Sequence, residues 1–129
     1  MTENMQQQIL VAEDNAALAS VIRFNLVRAG FQVTIANDGH QAWEFVQSNH
    51  FDLIVTDQQM PKMTGCELCE KLRSVPEYAE LPVIMLTAKG LELELPRLRE
   101  ELKIMATYMK PFSPKEIVKA VEDCLAATH

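Results

Sequence analysis

The chain has little cysteine, no excess of basic residues and no long apolar run, and each shortage excludes a class of protein. Its three cysteines are too few, and odd in number, for a disulfide framework, so a reducing cytoplasm is expected. Its 12 basic against 18 acidic residues give a net charge of −6, which argues against direct nucleic-acid binding by this chain. No apolar run approaches the roughly 20 residues that span a bilayer, and the N-terminus lacks the features of a secretory signal. We therefore expect a cytoplasmic protein without membrane association.

Glycine is also scarce, and none of the four glycines lies in a loop just after the first apolar run. A nucleotide-binding α/β domain would need a glycine-rich loop there. Cys66 and Cys69 form a C-x-x-C motif, but no second cysteine pair and no nearby histidine completes a zinc site. The motif continues in a helical pattern, so we interpret both cysteines as small packing residues.

Short apolar runs alternate with amphipathic stretches along the whole chain. The apolar runs predict five strands, at residues 9–12, 31–36, 53–56, 82–87 and 106–109. Helical spacing and two capping boxes, Thr64–Glu67 and Ser113–Glu116, predict helices at residues 18–29, 41–47, 65–74 and 114–127, and a short one near Pro96. This alternation predicts an α/β fold with a doubly wound five-stranded parallel sheet and helices on both faces. We expect a single domain over residues 1–129, with residues 1–7 as a flexible extension.

Polar residues stand at the ends of the predicted strands, where functional groups of such sheets gather. Glu13 and Asp14 follow the first strand, Asp57 follows the third, Thr87 ends the fourth and Lys110 follows the fifth. Three carboxylates at one edge repel one another, so they need compensating positive charge. The lysine supplies part of it, and a hard divalent cation can take carboxylate oxygens as ligands. Mg²⁺ suits this edge best, because it accepts a few carboxylates and keeps its waters.

These motifs together resemble the receiver domain of two-component response regulators. The resemblance is carried by Glu13-Asp14, Asp57-Gln58-Gln59-Met60-Pro61 with Gly65, Thr87-Ala88 and Lys110-Pro111-Phe112. It covers nearly the whole chain and implies a flavodoxin-like, CheY-like arrangement of strands. It also implies a signalling phosphoacceptor in a His–Asp phosphorelay rather than an enzyme, and a cis Lys110–Pro111 bond.

The resemblance assigns roles to the residues at the strand ends. Asp57 would accept a phosphoryl group from a phosphohistidine on a sensor histidine kinase or a phosphotransfer protein. Thr87 would bond a phosphoryl oxygen after transfer, and Lys110 would pair with the phosphoryl group. The phosphorylated surface would then bind a downstream protein partner or output domain, with homodimerisation as a further outcome.

The resemblance also implies Mg²⁺ as the cofactor. Asp14, Asp57 and the backbone carbonyl of Gln59 would hold the ion, and Glu13 would act through bound water. An aspartate-based phosphatase is disfavoured, because Gln59 stands where that family places its second aspartate. The serious alternative is a pseudo-receiver, a protein-interaction module of the same fold that is never phosphorylated.

One position departs from the receiver pattern. Receivers carry Tyr or Phe three residues before the lysine, whereas this chain has Thr107 there and Tyr108 one residue later. Because side chains alternate across a strand, Tyr108 should lie on the opposite face of the sheet from the usual aromatic unless a bulge restores the register. The sequence therefore predicts that phosphorylation is read through Thr87 and the segment from Gly90 to Pro96.

Overall fold

The computed structural model describes residues 6–88 and 95–127, in which a parallel sheet carries helices on both faces. The strands are β1 (Gln8–Ala12), β2 (Gln32–Ala36), β3 (Leu53–Asp57), β4 (Val83–Thr87) and β5 (Ile104–Met109). The helices are α1 (Ala16–Arg28), α2 (Gly39–Ser48), α3 (Gly65–Ser74), α4 (Leu95–Glu101) and α5 (Pro114–Ala127). The strand order is β2-β1-β3-β4-β5, and every pairing is parallel. The predicted fold class is confirmed.

Two apolar cores cover the two faces of this sheet. The α2–α3 core packs both helices against Leu10, Ile54 and Met85, among others. The α1–α5 core packs the other two helices against side chains that alternate with these, including Val55 and Leu86. Every residue of β3 and β4 is buried, as the apolar runs predict for central strands. No helix of the described residues is both long and apolar enough to cross a membrane.

The helix starts follow local hydrogen bonding. The predicted capping box of α3 is present in full: the Thr64 side chain accepts from Glu67 N, and the Glu67 side chain accepts from Thr64 N. The box predicted at α5 is only half present. The Glu116 side chain accepts from Ser113 N, but Ser113 Oγ accepts from Lys115 N rather than from Glu116 N. Asp38, which the sequence pattern did not single out, caps α2, because its side chain accepts from the amide of Gln41.

The start of β5 shows where a predicted bound was wrong and why, whereas its end at Met109 agrees with the prediction. The strand begins at Ile104, two residues earlier than predicted. Val83 pairs with Ile104 but Ile84 pairs with Ala106, so Met105 is the extra residue of a β-bulge. The bulge interrupts the alternation of buried and exposed residues on which the prediction rested.

Two further expectations concern the N-terminal residues and the residues just before α4. Residues 1–5 of the expected N-terminal extension lie outside the described residues. Gln6 Nε2 donates to Gly30 O, and Gln7 O accepts from Gln32 N, each at 3.0 Å. The short helix predicted near Pro96 is α4, but residues 89–94 before it lie outside the described residues.

Candidate functional site

The ends of β1 and β3 bring three carboxylates together. Asp57 is the last residue of β3, and Glu13 and Asp14 directly follow the neighbouring β1. Each of the three offers one carboxylate oxygen, and these atoms all lie within 4.8 Å of one another. Asp57 and Glu13 are buried while Asp14 is exposed, so the cluster opens to solvent on one side. The strand-end pattern predicted this convergence.

Lys110 supplies positive charge to the cluster from the end of β5. Its Nζ lies 3.1 Å from Asp57 Oδ2 and 3.4 Å from Glu13 Oε1. The Lys110 amide donates to Thr87 O at 2.8 Å, which fixes the residue against β4. The Lys110–Pro111 bond that follows is cis, as the resemblance implies.

Burial dominates the protonation equilibria of the two buried carboxyls of the cluster. Removal from water raises the pKa of Asp57 and of Glu13, and Lys110 only partly offsets this effect for either carboxyl. Burial alone would lower the pKa of Lys110, but hydrogen bonds and the charges of the two carboxylates outweigh it and raise that pKa. One ammonium therefore does not compensate three carboxylates.

One oxygen of the cluster lacks a partner. Asp57 Oδ1 is buried, and no group among the described residues donates a hydrogen bond to it. A buried carboxylate oxygen without a donor costs free energy unless a proton or a cation occupies the space beside it. The three carboxylates form the all-oxygen donor set that Mg²⁺ prefers, so the residues present fit that ion.

Thr87 and the residues after Asp57 complete the edge. Thr87 is fully buried at the end of β4, and its hydroxyl donates to Ala88 O at 2.6 Å. Gln58 does not direct its side chain to the carboxylates, because Gln58 Oε1 accepts from Cys66 N at 2.7 Å and holds the first turn of α3. Gln59 is exposed in the turn that follows β3.

Position 65 requires glycine because there is no room for a side chain, not because of its backbone conformation. A methyl group on its Cα would lie 2.5 Å from Asp57 O and 3.1 Å from Gln58 Cα. The start of α3 therefore packs directly on the backbone that carries Asp57. This close approach depends on the folded backbone, so the sequence pattern does not reveal it.

Tyr108 lies on the face predicted for it. It pairs with Leu86 in the sheet and packs with that residue in the α1–α5 core. Thr87, one residue after Leu86, faces the other side of the sheet by strand alternation. The bulge at Met105 precedes Tyr108 and does not move the aromatic ring to the side of Thr87.

The C-x-x-C motif packs, as predicted. Cys69 is fully buried in the α2–α3 core, and burial raises the pKa of its thiol to about 12. A thiol held protonated in this way is a poor nucleophile and a poor metal ligand.

Comparison with known sequences gives the chain its family. The model of the response regulator receiver domain matches residues 9–122. The chain is 38% identical over 120 residues to the alkaline phosphatase synthesis transcriptional regulatory protein PhoP of Bacillus subtilis, covering 91% of this chain and 49% of that protein. It is 39% identical over 122 residues to the phosphate regulon transcriptional regulatory protein PhoB of Rhizobium meliloti, covering 94% and 53%. The chain thus spans about half the length of these curated relatives.

Solved structures agree. The receiver domain of the Francisella response regulator 1452 is 30% identical with a TM-score of 0.86, and the match covers 96% of this chain and all of that one. The chemotaxis response regulator CheY4 of Vibrio cholerae is 27% identical with a TM-score of 0.83, with 92% of this chain and 98% of that one covered. The chain belongs to the family of response regulator receiver domains.

Proposed function

We propose that Asp57 is the phosphoacceptor of a His–Asp phosphorelay. One observation carries the proposal: Asp57 is buried beside the Glu13 and Asp14 carboxylates, with Lys110 Nζ on its Oδ2 and no donor to its Oδ1 among the described residues. A nucleophilic carboxylate held in place beside a fixed cation suits phosphoryl transfer, which depends mainly on positioning and charge neutralisation.

An oxygen of Asp57 forms a bond to phosphorus as the bond from phosphorus to the donor's imidazole nitrogen breaks. The imidazole leaves with that electron pair and takes up a proton. Lys110 pairs with the phosphoryl oxygens, and the Thr87 hydroxyl exchanges Ala88 O for one of them.

Asp14, Asp57 and the backbone carbonyl of Gln59 would hold Mg²⁺, and Glu13 would bind it through water. When bound, the ion supplies charge neutralisation at the phosphoryl oxygens. The donor would be a sensor histidine kinase or a phosphotransfer protein. Two relatives are named as transcriptional regulators and are about twice as long, so we propose that the phosphorylated surface acts on an output domain or a separate protein.

Phosphorylation by acetyl phosphate tests the proposal. We expect intact-protein mass spectrometry to show one added phosphoryl group in the presence of Mg²⁺ and at most a tenth of that labelling in excess chelator. Asp57→Asn should lose the label, because the amide is not a nucleophile. Asp123→Asn makes the same change at an exposed site on α5 and should label fully. Equal labelling of Asp57→Asn would refute the assignment, and absence of labelling in the unmodified chain would favour the pseudo-receiver alternative.

A further inference from the structure

The turn after β3 contains strained backbone close to the proposed cation site. Lys62 has a φ of 70°, and Met63 N donates to Pro61 O at 2.7 Å. The hydrogen bond closes a three-residue γ-turn around Lys62, a residue that has a side chain and a positive φ. This is a rare and strained backbone conformation. Such strain persists only where the surroundings hold it.

Gly39, the first residue of α2, packs against this turn at Met63. A methyl group on Gly39 would lie 2.3 Å from Met63 O and 2.7 Å from Met63 Cβ. Lys62 Nζ also lies 3.8 Å from Asp38 Oδ2, but the lysine is exposed and such pairs contribute little. The backbone of α2 therefore approaches the turn most closely at Gly39, where no side chain separates it from Met63.

The turn is held on its other sides as well. Met60 is buried in the α2–α3 core, and Met63 packs against the same core. Gly65 N donates to Gln58 O at 3.0 Å, where α3 packs on the backbone of Asp57. The segment between these contacts contains Gln59, three residues before Lys62.

We propose that Gly39 is a positioning residue for cation binding, acting through Met63 on the turn that presents the Gln59 carbonyl. This inference rests on the proposed function, since it takes that carbonyl as a ligand of Mg²⁺. Gly39 allows the start of α2 to close on the turn, and a larger residue there would displace the turn and the carbonyl with it.

Gly39→Ala separates this role from a merely helical one. Gly39 does not have the left-handed φ that disfavours alanine, and it occupies a helix, where alanine is normally preferred. If Gly39 served only the packing of α2, alanine could change stability but would leave Mg²⁺ binding unchanged. If it positions the turn, alanine should weaken Mg²⁺ binding about tenfold at a temperature where the variant is fully folded.

The measurement is a Mg²⁺ titration followed by backbone amide chemical shifts, with circular dichroism to verify folding. Gln47→Ala, on the exposed part of α2, and Asp38→Asn, which keeps the capping oxygen but removes the charge, should each bind within twofold of the unmodified chain. Met63→Gly is the second variant. It leaves Met63 O in place but removes Met63 Cβ, which lies next to Gly39, and the packing of that side chain on the α2–α3 core. It should weaken binding at least threefold, without crowding any neighbour.

Binding of Mg²⁺ within twofold by folded Gly39→Ala would overturn the proposal, and so would a loss of equal size in Asp38→Asn. If Gly39→Ala does not fold, Met63→Gly decides, because binding within twofold in that variant would equally overturn it. A failure of the proposed function looks different: the unmodified chain would then not bind Mg²⁺ at all.

Discussion

At the scale of single residues, the buried carboxyls of Asp57 and Glu13 reduce the stability of the fold when they are ionised. Burial raises the pKa of both carboxyls, so the folded state holds their protons more tightly than the unfolded chain does. Proton binding to these two carboxyls therefore stabilises the fold fully at pH values below the ordinary carboxyl pKa. This stabilisation is lost as pH rises through the raised pKa values. Most paired carboxylates behave in the opposite way.

We expect this cost to appear as a pH-dependent effect of Asp57→Asn in the absence of divalent cations. At pH 7 the substitution should raise the free energy of unfolding by about 1–2 kcal/mol, because it removes one buried charge from the cluster. At pH 4.5 the gain should be smaller, since the raised pKa lets the Asp57 carboxyl of the unmodified chain take up a proton at a higher pH than an ordinary aspartate does.

Urea unfolding at both pH values in chelator checks this expectation. Asp123→Asn, at an exposed position, is the control and should change stability little at either pH. A gain that is the same at both pH values, or a destabilisation at pH 7, would show that the charge of Asp57 is well compensated without a cation. The raised pKa of Lys110 does not enter, because its contribution is lost only above its ordinary value near 10.5.

At the scale of elements, one arginine joins the end of its helix to three segments, the last of which lies 29–30 residues further along the chain. The guanidinium of Arg73, at the end of α3, donates to backbone carbonyls of the short 3₁₀ turn at Pro76–Tyr78, of the approach to β4 and of the link between α4 and β5. The five acceptors are Tyr78, Ala79, Leu81, Leu102 and Lys103. Arg73 thereby fixes the C-terminal end of α4 to α3.

We predict that Arg73→Lys destabilises the fold by about 2–3 kcal/mol, because an ammonium cannot reach carbonyls on several sides and leaves some of them without a donor. Urea unfolding with an unchanged m-value measures the effect. Arg23→Lys makes the same change on the exposed surface of α1 and should cost less than about 0.5 kcal/mol. Equal stability of the two variants would contradict the role given to Arg73.

The elements and the site differ in how far the sequence predicts them. Strand and helix order follow from local apolar spacing, and the carboxylate cluster follows from the rule that parallel strands end at one edge. Arg73 and the fit of Gly39 against Met63 were not predicted, because each depends on backbone atoms of segments that only the folded chain brings together. The bulge at Met105 was not predicted for a related reason. Its exposed side chain interrupts the alternation of the strand, and no residue type in the sequence marks a bulge at that position.

At the scale of the whole molecule, the two cores make the position of Tyr108 informative. The ring packs in the α1–α5 core, whereas Thr87 ends β4 facing the other side of the sheet. A rotation of Tyr108 therefore cannot fill space vacated by the Thr87 hydroxyl. What a phosphoryl group can change directly is the bond from that hydroxyl to Ala88 O, and with it the backbone that leaves β4.

We predict that the response to phosphorylation depends on the Thr87 hydroxyl and not on the ring of Tyr108. Hydrogen exchange with and without beryllium fluoride and Mg²⁺ should show changed protection after β4 and in α4. Thr87→Val keeps the shape of the buried side chain and should reduce the change to less than half. Tyr108→Leu keeps an apolar side chain in the α1–α5 core and should leave the change intact.

Thr107→Val provides the matched control, because it makes the same substitution on the neighbouring strand, where Thr107 pairs with Met85. It should respond as the unmodified chain does, since no role in the response is assigned to that hydroxyl. Loss of the response in Tyr108→Leu, with Thr87→Val unaffected, would show that the aromatic ring transmits the signal from the α1–α5 side. The coupling would then pass through the core beneath α5 rather than along the backbone after Thr87.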